Sequence, residues 1–275
     1  MHLLENLWLI PLGFGVGACG TLIGAGGGFV LVPVMLLMFP KYTPTLVTSI
    51  SLAVVCCNAA SGSLTYARMK RIDYKSALIF AVATIPGAIL GAIAVTYIKR
   101  GPFDAAFGIL LMAGAALVLW QTFHPANPTR ESPRDTSTRT IVESDGTIHT
   151  YAFDPRVGIV ISVFVGFISS IVGIGGGIVH VPAMVRVLGF PVHVATATSH
   201  LILVVTSLTA TIVHVAQGVF SQGVMQTVCL AIGALVGAPL GARLSRRIGG
   251  RWIIGGLALA LACVGVRLFV QALWR

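Results

Sequence analysis

The groups best placed to do chemistry in this chain are backbone amides, because two glycine runs stand where side chains would otherwise crowd a ligand. Gly24-Ala25-Gly26-Gly27-Gly28 precedes Phe29 to Pro33, and Gly173-Ile174-Gly175-Gly176-Gly177 precedes Ile178 to Pro182. Each run opens a short apolar helix, whose first N–H groups have no intrahelical partner and whose dipole points its positive end at the run. Such an end attracts anions. Gly26, Gly27, Gly28, Gly175, Gly176 and Gly177 are therefore candidate substrate-binding positions. The same glycines would also serve close helix packing in a membrane. Thr48-Ser49 with Ser51, and Thr198-Ser199 with His200, follow the two runs and add hydroxyl and imidazole donors suited to an oxyanion. Hydroxyls at the start of a helix equally cap it or bond back to the preceding turn. Asn58 lies mid-span among small residues, where it either lines a cavity or bonds across helices. His200 is placed to bind the anion or to carry a coupling proton, whereas His180 and His214 form no metal-binding spacing with it.

These groups need a scaffold, and composition says what kind. Of 275 residues, 56% are apolar and 9% charged, against roughly 25% charged in an average soluble domain. A water-facing surface cannot be made from that composition; the chain belongs in lipid. Its 18 Lys and Arg and net charge of +10 fall in short clusters between apolar runs, so they orient the chain in a membrane and make no continuous stripe for a nucleic acid. The five cysteines all sit in apolar segments without CxxC spacing and read as packing residues. The N-terminus lacks the basic leader of a removable signal peptide, so the first segment is expected to be retained. No phosphate-binding loop, paired carboxylates or activated nucleophile is recognisable; the expectation is a transporter without cofactor or metal, not an enzyme.

Stretches near 45–67, 76–98, 103–122, 194–216 and 222–243 are long enough, at about 20 residues, to cross a bilayer. A sixth, near 252–272, contains Arg267. Shorter apolar pieces, 7–23 with 29–39 and 157–172 with 178–188, flank the two glycine runs. Arg186 and Arg267 lie close enough to segment ends to snorkel to the headgroups.

The two halves repeat. Gly26 corresponds to Gly175 at an offset of 149 residues, and Thr48-Ser49, Gly87-Ala88 and Gly91 correspond to Thr198-Ser199, Gly237-Ala238 and Gly241 at 150. Loop charges indicate inversion, since cytoplasmic loops carry the excess of Lys and Arg. Arg68, Lys70, Arg71 and Lys75 face an uncharged counterpart at 217–222, while the next pair of loops reverses the bias, Lys99 and Arg100 against Arg243, Arg246, Arg247 and Arg251. Inversion requires each short pair to be a re-entrant helical hairpin ahead of three crossings. The expected architecture is an all-α membrane protein of two inverted repeats, 1–122 and 156–275, joined by a hydrophilic cytoplasmic linker at 123–155, with both termini outside. Within the linker, Asp145-Gly146 between β-prone flanks predicts a small hairpin with a two-residue turn.

The paired runs with Pro33 and Pro182, the Thr-Ser elements after them, the small size and the hydrophilic middle resemble the sulfite exporter TauE/SafE family of permeases. That resemblance covers nearly the whole chain outside 123–155. It implies a bacterial-type inner-membrane secondary transporter, an exporter of sulfite or organosulfonate-type anions working by alternating access, with a proton or sodium ion as coupling partner. An anion channel, or a carrier of another small carboxylate or polar solute, would use a similar lining.

Overall fold

The computed structural model describes residues 6–123, 137–144 and 146–245, together with 262, 265–267 and 270 near the C-terminus. Most of the sixth apolar stretch, the first part of the linker and Asp145 lie outside the described residues. The helices, in order, are α1 (Leu9–Ile23), α2 (Gly28–Met38), α3 (Pro44–Arg68), α4 (Tyr74–Ala94) and α5 (Arg100–Phe123), then α6 (Pro155–Val172), α7 (Gly177–Arg186), α8 (Val192–Ala216) and α9 (Val224–Leu244). Strands β1 (Ser137–Val142) and β2 (Ile148–Phe153) lie between the halves. Five helices are long and apolar enough to cross a membrane: α3, α4 with the 3-10 turn that extends it, α6, α8 and α9. Side chains such as Leu78, Leu90, Phe164 and Val236 are more than 60% exposed on their flanks, a surface that only lipid can cover.

Local sequence explains the helix boundaries. Thr43 caps α3, its hydroxyl accepting from the Leu46 N–H at 3.2 Å, with Pro44 in the first turn. Asp73 caps α4 and Asp154 caps α6 in the same manner. The Asp154-Pro155 start gives α6 its 18 residues, enough for a crossing, although the apolar piece at 157–172 reads as short. At the breaks, Gly24, Gly26 and Gly27 have φ of 84°, 77° and 83°, and Gly173, Gly175 and Gly176 have 78°, 77° and 93°. These are left-handed conformations that side chains other than glycine adopt at a cost. They turn the chain back on itself: Gly27 packs on Val16 of α1, and Gly176 on Val165 of α6.

The halves are interleaved. Helix α1 lies along α9 and α6 along α4, with small residues bringing backbones into contact. A Cβ on Gly87 or Gly91 of α4 would collide with the backbone at Val163 or Phe167 of α6. One on Gly237 or Gly241 of α9 would collide with Phe14 or Ala18 of α1. The second set repeats the first at the same 149–150 residue offset, so the duplication governs packing as well as sequence. In both pairs the two helices run in the same direction. Helix α3 also runs with α9, Ile50 beside Gly223 and Ser61 bonded to the Leu235 carbonyl at 2.8 Å. Helix α4 runs with α8, Asp73 bonded to Thr198 and Thr84 to Thr206.

The two strands pair antiparallel, Ser137 with Phe153 through Val142 with Ile148. The expected two-residue turn is replaced by a wider loop over 143–147. The Glu143 N–H still donates across to the Thr147 carbonyl at 2.9 Å, and the Gly146 N–H donates to the Glu143 carbonyl at 3.1 Å, while the Glu143 side chain pairs with Arg71 at 2.5 Å and His149 at 2.9 Å and the Ser144 N–H donates to the Met69 carbonyl. The hairpin docks on the α3–α4 loop through Glu143 and Ser144, and Tyr151 and Phe153 pack at tilted and edge angles on Phe190 of the α7–α8 connection and Phe80 of α4.

Candidate functional site

The two glycine breaks touch at the centre of the packing. A Cβ on Gly28 would lie 2.7 Å from Ile174 Cα, and one on Gly177 2.6 Å from Ala25 Cα. Gly26 and Gly175 both face Val55 of α3 and Leu203 of α8. The breaks thus meet back to back, with the two central long helices on either side. Thr48 packs on Gly173, and Thr196 packs on Gly24, so each long helix starts against the other half's break.

The predicted polar residues divide by what they bond. Asn58, 1% exposed, donates from Nδ2 to the Gly26 carbonyl at 3.0 Å and accepts at Oδ1 from the Thr21 hydroxyl at 3.2 Å. Ser51 donates to the Gly173 carbonyl at 2.6 Å. Both residues hold a break in shape. Thr48 and Ser49 donate to the carbonyls of Thr45 and Leu46, one turn back on their own helix. Thr198 accepts from the Asp73 N–H at 3.1 Å.

Ser199 and His200 behave differently. Both are fully buried, and neither the Ser199 hydroxyl nor either His200 ring nitrogen has a partner in hydrogen-bonding geometry. The Thr196 carbonyl one turn back is near enough to act on the imidazole electrostatically without completing a bond. The His200 ring crosses to the first half, where it meets the edge of Tyr66 at 5.4 Å and closes on Gly62 and Thr21. Ser169 and Ser170, beside the second break, are buried hydroxyls that also lack partners. Buried polar groups without partners are costly and rare in a folded interior. Ser169 reaches the second break at Gly176, and His200 sits beside Thr21 in the segment leading to the first, so unused donors stand next to the glycine turns.

Thr21 and Tyr66 belong to this centre but are not singled out by sequence pattern. The Tyr66 hydroxyl donates to the Thr21 carbonyl at 2.8 Å. The available signal was position: Thr21 stands three residues before the glycine run, and Tyr66 is a polar aromatic inside an apolar span. His180 is a packing residue against Phe80, within 3.3 Å of the Ser162 hydroxyl. Among the described residues, no three His, Cys, Asp or Glu side chains cluster as metal ligands. The described acidic groups Asp73, Asp104, Glu143 and Asp154 lie in loops or at helix starts, away from the breaks.

Long apolar helices, an interleaved duplication and a buried polar centre define a multi-pass membrane protein of the transporter class. Over residues 9–268 the chain matches the family model described as sulfite exporter TauE/SafE. The chain belongs to that family. It is 32% identical over 273 residues to the Bacillus subtilis protein described as probable membrane transporter protein YunE, covering 97% of this chain and 98% of the relative. A probable membrane transporter protein of Methanocaldococcus jannaschii is 24% identical, covering 95% and 96% of the two chains, and one from Xylella fastidiosa (strain Temecula1) is 23% identical, covering 97% and 95%. No solved structure matches the chain.

Proposed function

We propose that the protein exports small sulfur-containing oxyanions, sulfite or organosulfonates, across a bacterial-type inner membrane by alternating access. The observation that carries this reading is a pair of touching glycine breaks, with unpartnered buried groups on the helices that form and flank them: Ser169 and Ser170 on α6, Ser199 and His200 on α8. No described carboxylate lies among them to repel an anion. In the present conformation the tips are too close to admit a solute. Substrate enters when they part, and the freed amides of Gly26 to Gly28 and Gly175 to Gly177 join the hydroxyls of Ser199 and the His200 ring in holding it. Asn58, Ser51, Thr48, Ser49 and Thr198 brace the breaks and helix starts, and a proton or sodium ion drives the cycle.

The same reading takes the chain as two inverted repeats, 1–122 and 156–275, each a re-entrant hairpin followed by three crossings. Its support is helix direction: α1, α3 and α9 run together, and α4, α6 and α8 run together, while Thr45 at the start of α3 reaches the Val95 carbonyl at the end of α4, 3.5 Å away. The two sets are therefore antiparallel, and equivalent helices of the halves oppose one another. Arg68, Lys70, Arg71, Lys75, Arg139 and Arg243 gather at the end carrying the β-hairpin, which supports a cytoplasmic linker and the assignment of both termini to the outside.

The test is flux in proteoliposomes loaded with sulfite, sulfoacetate, taurine, thiosulfate or acetate. The expected result is movement of sulfite or a sulfonate against its own gradient, driven by an imposed proton or sodium gradient. Purely downhill flux would remove the coupling ion, and selectivity for acetate would remove the sulfur oxyanion.

A further inference from the structure

At the end of the molecule opposite the β-hairpin, a cleft of about 850 Å³ opens between the α2–α3, α4–α5 and α8–α9 connections. Its lining includes Lys41, Thr43, Thr96, Lys99, Arg100 and Gln222, and contains no acidic side chain. Arg100 is already committed: it pairs with Asp104 at 2.9 Å and donates to the carbonyls of Tyr42 and Leu36. In doing so it neutralises the one buried carboxylate nearby and fixes the cleft wall. Lys41 and Lys99 are exposed and carry no described ion pair. Their placement runs against orientation by charge, which puts Lys and Arg at the other end. Two of the chain's four lysines nevertheless converge on this one concavity. The floor is Thr45-Leu46 in the first turn of α3, one turn short of the buried Thr48-Ser49.

We propose that this cleft is a second binding site, an outer vestibule in which Lys41 and Lys99, with the hydroxyl of Thr43, hold one small oxyanion. It deepens the transport reading and rests on it for the direction of travel, but its ligand chemistry stands on the cleft alone. Two cations facing a common space with a hydroxyl beside them recognise a sulfonate or similar anion by charge-assisted bonds. An anionic phospholipid headgroup offers the same chemistry, so the experiment separates the two sources.

The full-length protein, in phosphatidylcholine nanodiscs, is labelled with an amine-reactive acetylating reagent, and modification of each lysine is followed by mass spectrometry with and without sodium ethanesulfonate. Lys70 and Lys75, exposed at the hairpin end, are internal controls. The expected result is slower labelling of Lys41 and Lys99 with ethanesulfonate, unchanged labelling of Lys70 and Lys75, and no protection by sodium chloride at equal ionic strength. Equal labelling at all four lysines overturns the proposal, as does protection seen only when phosphatidylglycerol replaces phosphatidylcholine. In flux assays, the double variant Lys41→Gln/Lys99→Gln raises KM about tenfold for anion presented at that face and leaves kcat unchanged, the equivalent of about 1.4 kcal/mol. The double Arg variant restores KM. Footprinting does not depend on flux: a footprint without sulfonate transport sinks the transport reading and keeps the vestibule, while normal transport without a footprint does the reverse.

Discussion

The two glycine breaks share backbone angles and meet each other, yet they are held by opposite means. The first is pinned from within, Thr21 donating to Asn58 and Asn58 donating to the Gly26 carbonyl. At the second, Ser170 occupies the position of Thr21 but finds no partner, because the residue aligned with Asn58 is Leu208, which is 46% exposed. This break is held by groups borrowed from the first half. Ser51 binds the Gly173 carbonyl, and Thr198, in the helix beside it, is tied to Asp73 and through Asp73 to Tyr151 of the β-hairpin. Duplication preserved the contacts on which packing depends and let polar chemistry diverge. The unsatisfied donors lie on the second-half helices α6 and α8.

The most severe way to break this comparison is to separate the tips. Gly28→Ala and Gly177→Ala each place a methyl against backbone, and each is expected to lower stability in detergent by about 3 kcal/mol. The two losses should match; full stability of either variant would mean that the tips do not touch. Asn58→Leu, which gives the first break the residue found at the second, leaves the Gly26 carbonyl and the Thr21 hydroxyl unpaired and costs about 2 kcal/mol in thermal unfolding. No change on that substitution would show the internal tether to be idle.

The outer tether of the second break is tested through Tyr151. Burial, then the neighbouring Asp73 carboxylate, pushes its phenol above the ordinary value near 10. Its hydroxyl donates to Asp73 at 2.8 Å, and Tyr151→Phe should cost about 1.5 kcal/mol at neutral pH. A phenol raised on folding contributes stability that is present below the ordinary value and declines as pH rises beyond it. Wild-type melting temperature should therefore fall above about pH 10, and Tyr151→Phe should lack that part of the fall. The smallest effects sharpen the contrast most: Thr21→Val costs about 1 kcal/mol, whereas Ser170→Ala, which deletes an unpaired hydroxyl, is neutral or stabilising by up to about 1 kcal/mol. Equal losses at the two positions would remove the asymmetry.

Much of this architecture is legible in the sequence because it rests on repetition and hydropathy. The matched glycines announce the breaks, and the matched Gly87 and Gly237, Gly91 and Gly241 announce the helix contacts that the packing uses. What sequence could not supply is which polar side chains are satisfied. Asn58 and Ser199 read alike as polar groups in apolar spans, but one has two partners and the other none. That difference depends on contacts between residues far apart in the chain. The wider hairpin loop is another such case, since its Glu143 side chain and Ser144 N–H bond Arg71 and Met69, more than 70 residues away in the chain.

The interleaving of α1 with α9 also bears on how the chain is made. When α6 leaves the ribosome, its partner α4 is already synthesised. Helix α1 emerges first and has to keep Gly13 and Gly17, which pack on Leu230 and Ala234, unmatched by α9 until nearly all the chain has entered the bilayer. A product that stops short of α9 therefore leaves the Gly13 and Gly17 face of its first helix without the backbone it is shaped to meet.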